Sequence, residues 1–173
     1  MNNLILLDKY EKINQIYTWS YGEIFKAKNN QTGNYVAIQR IDKSKFENEN
    51  KYLSIVQNMK LLKSENSVSF IEAFNTKDNF YIVMELCLIN LGDYIKIRKE
   101  GLSINEIKEI LIQINNILNE KIIYKNLNPS NILININKID KILLKILDNS
   151  NNNKLTLSPE ILNNEENILK NDL

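Results

Sequence analysis

Tyr124-Lys125-Asn126-Leu127-Asn128-Pro129-Ser130-Asn131 is a polar loop set between two short apolar runs, 122–124 and 132–135. A third such run follows at 142–147, and each reads as a short strand. Before the loop, Ser103 and Glu106 form a capping box, in which each side chain satisfies a backbone donor at a helix start. Ile104, Ile107, Ile110, Leu111, Ile114, Ile117 and Leu118 then recur at three and four, which predicts a helix with one strongly apolar face ending near Asn119. A shorter helix over 91–98 precedes it, closed by Gly101. The first half of the chain reads differently: strands over 10–16, 22–28 and 35–41, the last two joined by a loop carrying Thr32-Gly33. A helix follows over 43–63, with Leu53, Val56, Met59 and Leu62 at helical spacing, and then a second hairpin of 68–74 and 80–86. The order predicts an α+β fold: a five-stranded antiparallel part with one helix, then a mainly helical part.

Composition narrows the chemistry. The chain has 173 residues, 43% hydrophobic and 25% charged, enough for a real core. Lysine plus arginine number 22 against 21 acids, a formal charge of +1, so no nucleic-acid partner is expected. There is no histidine and only one cysteine, Cys87, which excludes Ser-His-Asp and Cys-His nucleophile systems, histidine-ligated metals and disulfide frameworks. No apolar run approaches the roughly 20 residues of a membrane span, and the run 4–7 meets Asp8 too soon for a signal-peptide core. The expectation is a reducing, cytoplasmic setting with no membrane contact. Asparagine is so frequent that a single one reads first as compositional drift.

The sequence resembles the eukaryotic-type serine/threonine protein kinase family, on strings that occur in family order. Gly22-Glu23-Ile24-Phe25-Lys26-Ala27 is similar to the end of the glycine-rich loop and its strand. Val36-Ala37-Ile38-Gln39 resembles V-A-I-K, and Tyr81-Ile82-Val83-Met84-Glu85-Leu86-Cys87 resembles the fifth strand entering the interlobe hinge. The 124–131 loop resembles H-R-D-L-K-P-x-N, Asp148-Asn149-Ser150 stands where D-F-G belongs, and Ser158-Pro159-Glu160 resembles A-P-E. The resemblance implies one kinase-like domain: an N-lobe and hinge over 1–87 and a truncated, incomplete C-lobe over 88–173.

It also assigns roles, and most of the catalytic ones are refused. The two earlier loop glycines correspond to Tyr17 and Trp19, whose bulk opposes backbone approach to phosphates, unless Trp19 folds outward. Gln39 holds the position of the phosphate-binding lysine and cannot neutralise phosphate charge; Arg40 beside it points to the other sheet face. Lys26 shares a face with Ile24 and is the one candidate replacement, although a solvated lysine explains it equally well. The partner glutamate of the next helix is replaced by Ile55, Gln57 or Asn58, depending on where a short deletion falls. Asn126 occupies the catalytic base position and Asn128 the following lysine position; an amide has no basic lone pair near neutral pH. Asn131 and Asp148 match the two magnesium ligands, with turn capping and loop bracing as the plainer reading. For adenine, the resemblance implies Gly22, Ile24 and Ala37 above, Leu133 below, Met84 behind, and backbone groups of Glu85 and Cys87 at the base edge.

The expectation is therefore a pseudokinase, catalytically inactive, with at most weak binding of ATP and magnesium, acting through a protein partner or self-association. The alternatives are an atypical ATP-dependent serine/threonine kinase relying on Lys26 and the metal pair, and a non-functional truncated remnant. The segment 148–160 leaves no room for a usual activation loop. Beyond it the chain ends at Asn171-Asp172-Leu173, where the next family helix would open. Part of the apolar face of the Ser103 helix is then expected to lie open.

Overall fold

In the computed structural model the described residues are 8–46, 49–61, 64–119, 128–136 and 142–146. They form two compact units: Met1–Lys63 with Val68–Leu86, and Ser64–Ser67 with Cys87–Leu173.

The first unit is a five-stranded antiparallel sheet in the order β1-β2-β3-β5-β4. Its strands are β1 (Tyr10–Trp19), β2 (Gly22–Asn29), β3 (Tyr35–Asp42), β4 (Phe70–Asn75) and β5 (Asn79–Glu85). One helix, α1 (Glu49–Leu61), lies between β3 and β4 in sequence. Alternation sorts the strands' side chains onto two faces. One face carries the cluster Tyr10, Phe25, Ala27, Val36, Ile38, Tyr81 and Val83. The other carries Ile24, Ala37, Gln39, Ile41, Phe80, Ile82 and Met84, all buried. Tyr52 of α1 stacks on Phe80 with ring centroids 4.2 Å apart, which seats the helix on this second face.

Several boundaries differ from expectation. The strand expected to end at 16 continues to Trp19, leaving only Ser20-Tyr21 as the turn into β2. The helix expected over 43–63 is described only from Glu49 to Leu61. Residues 43–45 form a turn, because the Asp42 side chain accepts from the Ser44 backbone N–H at 2.9 Å, a local bond that competes with helix. Its buried stripe is Tyr52, Ile55, Val56 and Met59, whereas Leu53, expected in the core, is exposed.

The second unit contains β6 (Ile89–Asn90), α2 (Leu91–Ile97), α3 (Ile104–Asn119), β7 (Ile132–Ile136) and β8 (Ile142–Ile146). The strands form one antiparallel sheet, β6-β7-β8. Ser64–Ser67 belongs here because Ile146 N–H donates to Asn66 O at 2.8 Å and Asn66 Nδ2 to Leu144 O at 2.9 Å. Gln113, in the middle of α3, accepts from Leu144 N–H at 2.8 Å, which satisfies a backbone donor of the outer strand. The core gathers Ile89, Leu91, Tyr94, Ile110, Ile117, Ile132, Ile134, Leu144 and Ile146. The expected strand at 122–124 lies outside the described residues.

The capping box forms as expected. Ser103 N–H donates to Glu106 Oε2 at 2.8 Å, and Glu106 N–H donates to Ser103 Oγ at 3.3 Å. Burial alone would push the Glu106 carboxyl up, but donors from Ser103 and Tyr94 and the Arg98 guanidinium hold it below its ordinary value. Ser103→Ala is expected to cost about 1 kcal/mol in urea denaturation. Because the folded pKa of Glu106 is depressed, its stabilisation is present above the unfolded value of 4.5 and is lost as pH falls through the folded one. Glu106→Gln should therefore flatten the acid limb of the stability profile.

The apolar face of α3 is only partly used. Ile110 and Ile117 are buried, while Ile104 is 71% exposed, Leu111 58% and Leu118 60%. Among the described residues, no helix is long and apolar enough to cross a membrane.

Candidate functional site

Gln39 is the centre of the candidate positions in the first unit. Cross-strand pairing aligns Tyr17 with Ile24, Ile24 with Gln39, and Gln39 with Ile82, so these four form one row across the sheet on one face. The next row contains Trp19, Gly22, Ile41 and Phe80, and the row on the other side contains Lys26, Ala37 and Met84. The face on which the family resemblance places the nucleotide thus carries an amide where a cation was expected. The Gln39 side chain is buried, and its Oε1 has no hydrogen-bond partner among the described residues.

The helix that would supply the partner glutamate offers no carboxylate on its buried side. Of the three candidate positions, Ile55 is buried, while Gln57 and Asn58 are exposed. On the expected alignment, Gln39 and each of these three helix positions would leave both halves of the lysine–glutamate pair uncharged. This is physically consistent, since either charge left alone in a buried setting is strongly destabilising. Arg40 does point to the opposite face, where its guanidinium stands 3.3 Å from Glu23, which also pairs with Lys12 at 2.8 Å.

Lys26 has a different employment. Its ammonium lies 4.5 Å from the centroid of the Tyr35 ring, a cation–π contact one row further from Gln39 than its own.

Two aromatic rings stand at the end of β1, where the earlier glycines of the family loop were expected. Tyr17 and Trp19 stack with centroids 5.9 Å apart and planes 18° from parallel, and both belong to the Ile24 face by register. The one retained glycine has a structural reason to remain. A Cβ on Gly22 would meet the backbone carbonyl oxygen of Arg40 at 1.9 Å, so the β2–β3 approach itself requires glycine. The remaining expected adenine contacts in this unit, Ile24, Ala37 and Met84, are all buried. Glu85 N–H donates to Ser69 O at 3.0 Å, and the Glu85 carboxylate accepts from Ser69 N–H.

The second unit holds the rest of the described positions. Asn128, at the family's lysine position, accepts from Ser130 N–H through Oδ1 at 2.9 Å, and its carbonyl accepts from Asn131 N–H at 2.9 Å. The residue has become the cap of the turn leading into β7. Asn131 is buried, Leu133 is half-buried at its position in β7, and Cys87 is half-buried. The turn is braced by Gly92 N–H donating to Pro129 O at 3.1 Å. Asn90, which sequence reading passed over as one asparagine among many, caps α2 by accepting from Asp93 N–H at 2.8 Å. An Asn three residues before an Asp at the start of an apolar-periodic run is the signal that was available.

Asn126, Asp148, Tyr124 and the 149–160 segment lie outside the described residues. Among the described residues there is no cluster of His, Cys, Asp or Glu that could hold a metal ion. Of the two expected magnesium ligands, Asn131 is a buried amide and Asp148 lies outside the described residues.

Residues 10–166 match the protein kinase domain family. The chain is similar to Cyclin-dependent kinase-like 4 of Mus musculus, 32% identical over 134 residues that cover 74% of this chain and 39% of that protein. It is similar to Cyclin-dependent kinase-like 1 of Caenorhabditis elegans at 28% over 137 residues, covering 76% and 39%. To Cyclin-dependent kinase 9 of Rattus norvegicus the identity is 31% over 143 residues, covering 73% and 38%. The chain spans about two fifths of the length of these curated relatives. With the strand order, the V-A-I-Q strand and the 128–131 turn in place, the chain belongs to the eukaryotic-type serine/threonine protein kinase family.

Proposed function

We propose that this chain is a pseudokinase: a kinase-like protein that does not transfer phosphate and acts, in the cytoplasm, by binding protein. The observation that carries the reading is Gln39, a buried neutral amide at the position expected for the phosphate-binding lysine, whose carbonyl oxygen has no donor among the described residues. Phosphoryl transfer is mostly positioning and electrostatics, so loss of the cation, its carboxylate partner and the base at Asn126 removes the chemistry at three separate points. Adenine-nucleotide binding is then at most weak and draws on apolar burial at Ile24, Ala37 and Met84 of the first unit rather than on phosphate contacts.

The test is transfer of labelled γ-phosphate from magnesium-ATP to a generic serine/threonine acceptor. The expected result is no transfer above an Asp148→Ala control. Transfer that Asp148→Ala abolishes would establish the atypical kinase instead. The exposed stripe Ile104, Leu111 and Leu118 of α3 favours self-association as the interaction. Size-exclusion chromatography with light scattering should then show a discrete dimer that Leu111→Lys converts to monomer. A monomeric wild-type chain would rule out self-association through this stripe.

A further inference from the structure

The two edge strands of the first unit's sheet, β1 and β4, are joined by side chains. In the order β1-β2-β3-β5-β4 they would lie about 19 Å apart in a flat sheet, further than a tyrosine and a glutamate side chain reach together. Yet the Tyr10 hydroxyl of β1 donates to Glu72 Oε1 of β4, and the Lys9 ammonium stands 2.7 Å from the same carboxylate. The sheet is therefore curled, and Glu72 ties its edges together beside the cluster that contains Tyr10, Phe25, Val36, Ile38 and Val83.

The N-terminal half of β1 depends on this tie. Of residues 10–15 only Tyr10 is buried, while Glu11, Lys12, Ile13, Asn14 and Gln15 are all exposed. A segment with a single apolar anchor opens at low free-energy cost, and here the anchor's hydroxyl ends on Glu72. Lys12 adds a second, weaker fastening: its ammonium lies 4.7 Å from the Phe25 ring centroid and 2.8 Å from Glu23, on a side chain 44% exposed. Just beyond it, the pairing of β1 with β2 shifts register between Lys12 and Asn14, an irregularity at which a strand bends.

We propose that residues 8–12 form a strap, hinged at this register shift and latched by Glu72, that opens as a unit while the rest of the sheet stays paired. Opening withdraws Tyr10 from the cluster and bares the edge of β2 over 27–29, where Tyr10, Glu11 and Lys12 pair when the strap is closed. The device is independent of the pseudokinase reading, because none of its residues belongs to the candidate site.

Hydrogen–deuterium exchange of the intact chain at neutral pH, read peptide by peptide, tests it. In Glu72→Val, which keeps strand propensity but offers no acceptor, exchange over 8–12 is expected to rise about tenfold above wild type, and exchange in β3 and β5 by a clearly smaller factor. Tyr10→Phe keeps the ring and removes the hydroxyl, and it should speed the same segment severalfold. A rise over 8–12 in Glu72→Val no larger than that in β3 and β5 overturns the inference, since the effect would then be general destabilisation rather than release of a strap. Wild-type exchange over 8–12 in Tyr10→Phe overturns it as well, by showing that the hydroxyl latches nothing.

Discussion

Gly22→Ala is expected to destabilise the chain by about 3 kcal/mol, the upper end of the usual cost of overpacking, and to lower its melting temperature by roughly 10 °C. The added Cβ would sit 1.9 Å from the carbonyl oxygen of Arg40, a backbone atom of the neighbouring strand that cannot swing aside as a side chain would. Relief requires β2 and β3 to separate locally, which disturbs the Gly22–Ile41 and Glu23–Arg40 pairs and the Glu23 ion pairs beside them. Gly33→Ala provides the contrast. Gly33 has a φ of 76° but open space around it, so alanine there meets only backbone strain, about 1 kcal/mol. If Gly22 remained for phosphate binding, its replacement would leave stability intact. A urea midpoint within error of wild type for Gly22→Ala would therefore defeat the structural explanation.

The five-stranded sheet was legible because its strands are short apolar runs and its turns carry ordinary turn residues, as at Thr32-Gly33. The start of α3 was legible because a capping box is a local device whose two members lie three residues apart. What escaped depends on partners far away in sequence. β6 is two residues long and exists only because Ile89 and Asn90 pair with Ile134 and Leu133. Gln113 looks like an interruption of an apolar helix until β8 supplies the donor it accepts. Val56 and Met59 of the expected α1 stripe are buried, but Leu53 lies about 100° round the helix from Tyr52 and is exposed, and Tyr52 and Ile55 complete the buried face instead.

The site divides along the same line. Gln39 was found by its place in Val36-Ala37-Ile38-Gln39, but its burial without a donor is a property of packing. Tyr17 and Trp19 fall on the Ile24 face by simple alternation only because two register shifts in β1, between Lys12 and Asn14 and between Gln15 and Tyr17, cancel. Asn128 could be recognised as a lost lysine. Its new role as a turn cap needed the Ser130 N–H position.

Gln39→Lys is the substitution that would be made to revive catalysis, and it is expected to destabilise instead. The lysine would enter a buried position whose neighbours in register are Ile24 and Ile82, while the buried stripe of α1 is Tyr52, Ile55, Val56 and Met59. None of these can neutralise an ammonium. A buried charge left without its partner costs on the order of 3 to 5 kcal/mol, several times the penalty of the orphan amide it replaces. The pH dependence identifies the cause. Burial lowers the folded pKa of the lysine below its unfolded value near 10.4, so the unfolded chain binds more protons and stability rises with pH between the two values. The gap between Gln39→Lys and wild type should accordingly narrow as pH is raised from about 7 towards 10, whereas Gln39→Met, of similar length and uncharged, should show a small and pH-independent difference. Adding Ile55→Glu to Gln39→Lys should recover part of the loss at neutral pH, because the carboxylate restores the missing half of the pair on the one candidate position that faces inward. Phosphoryl transfer should stay undetectable in the double variant, since Asn126 still provides no base. A Gln39→Lys chain as stable as wild type at pH 7 would mean that the position is solvated in solution, and the electrostatic account of the missing pair would fall.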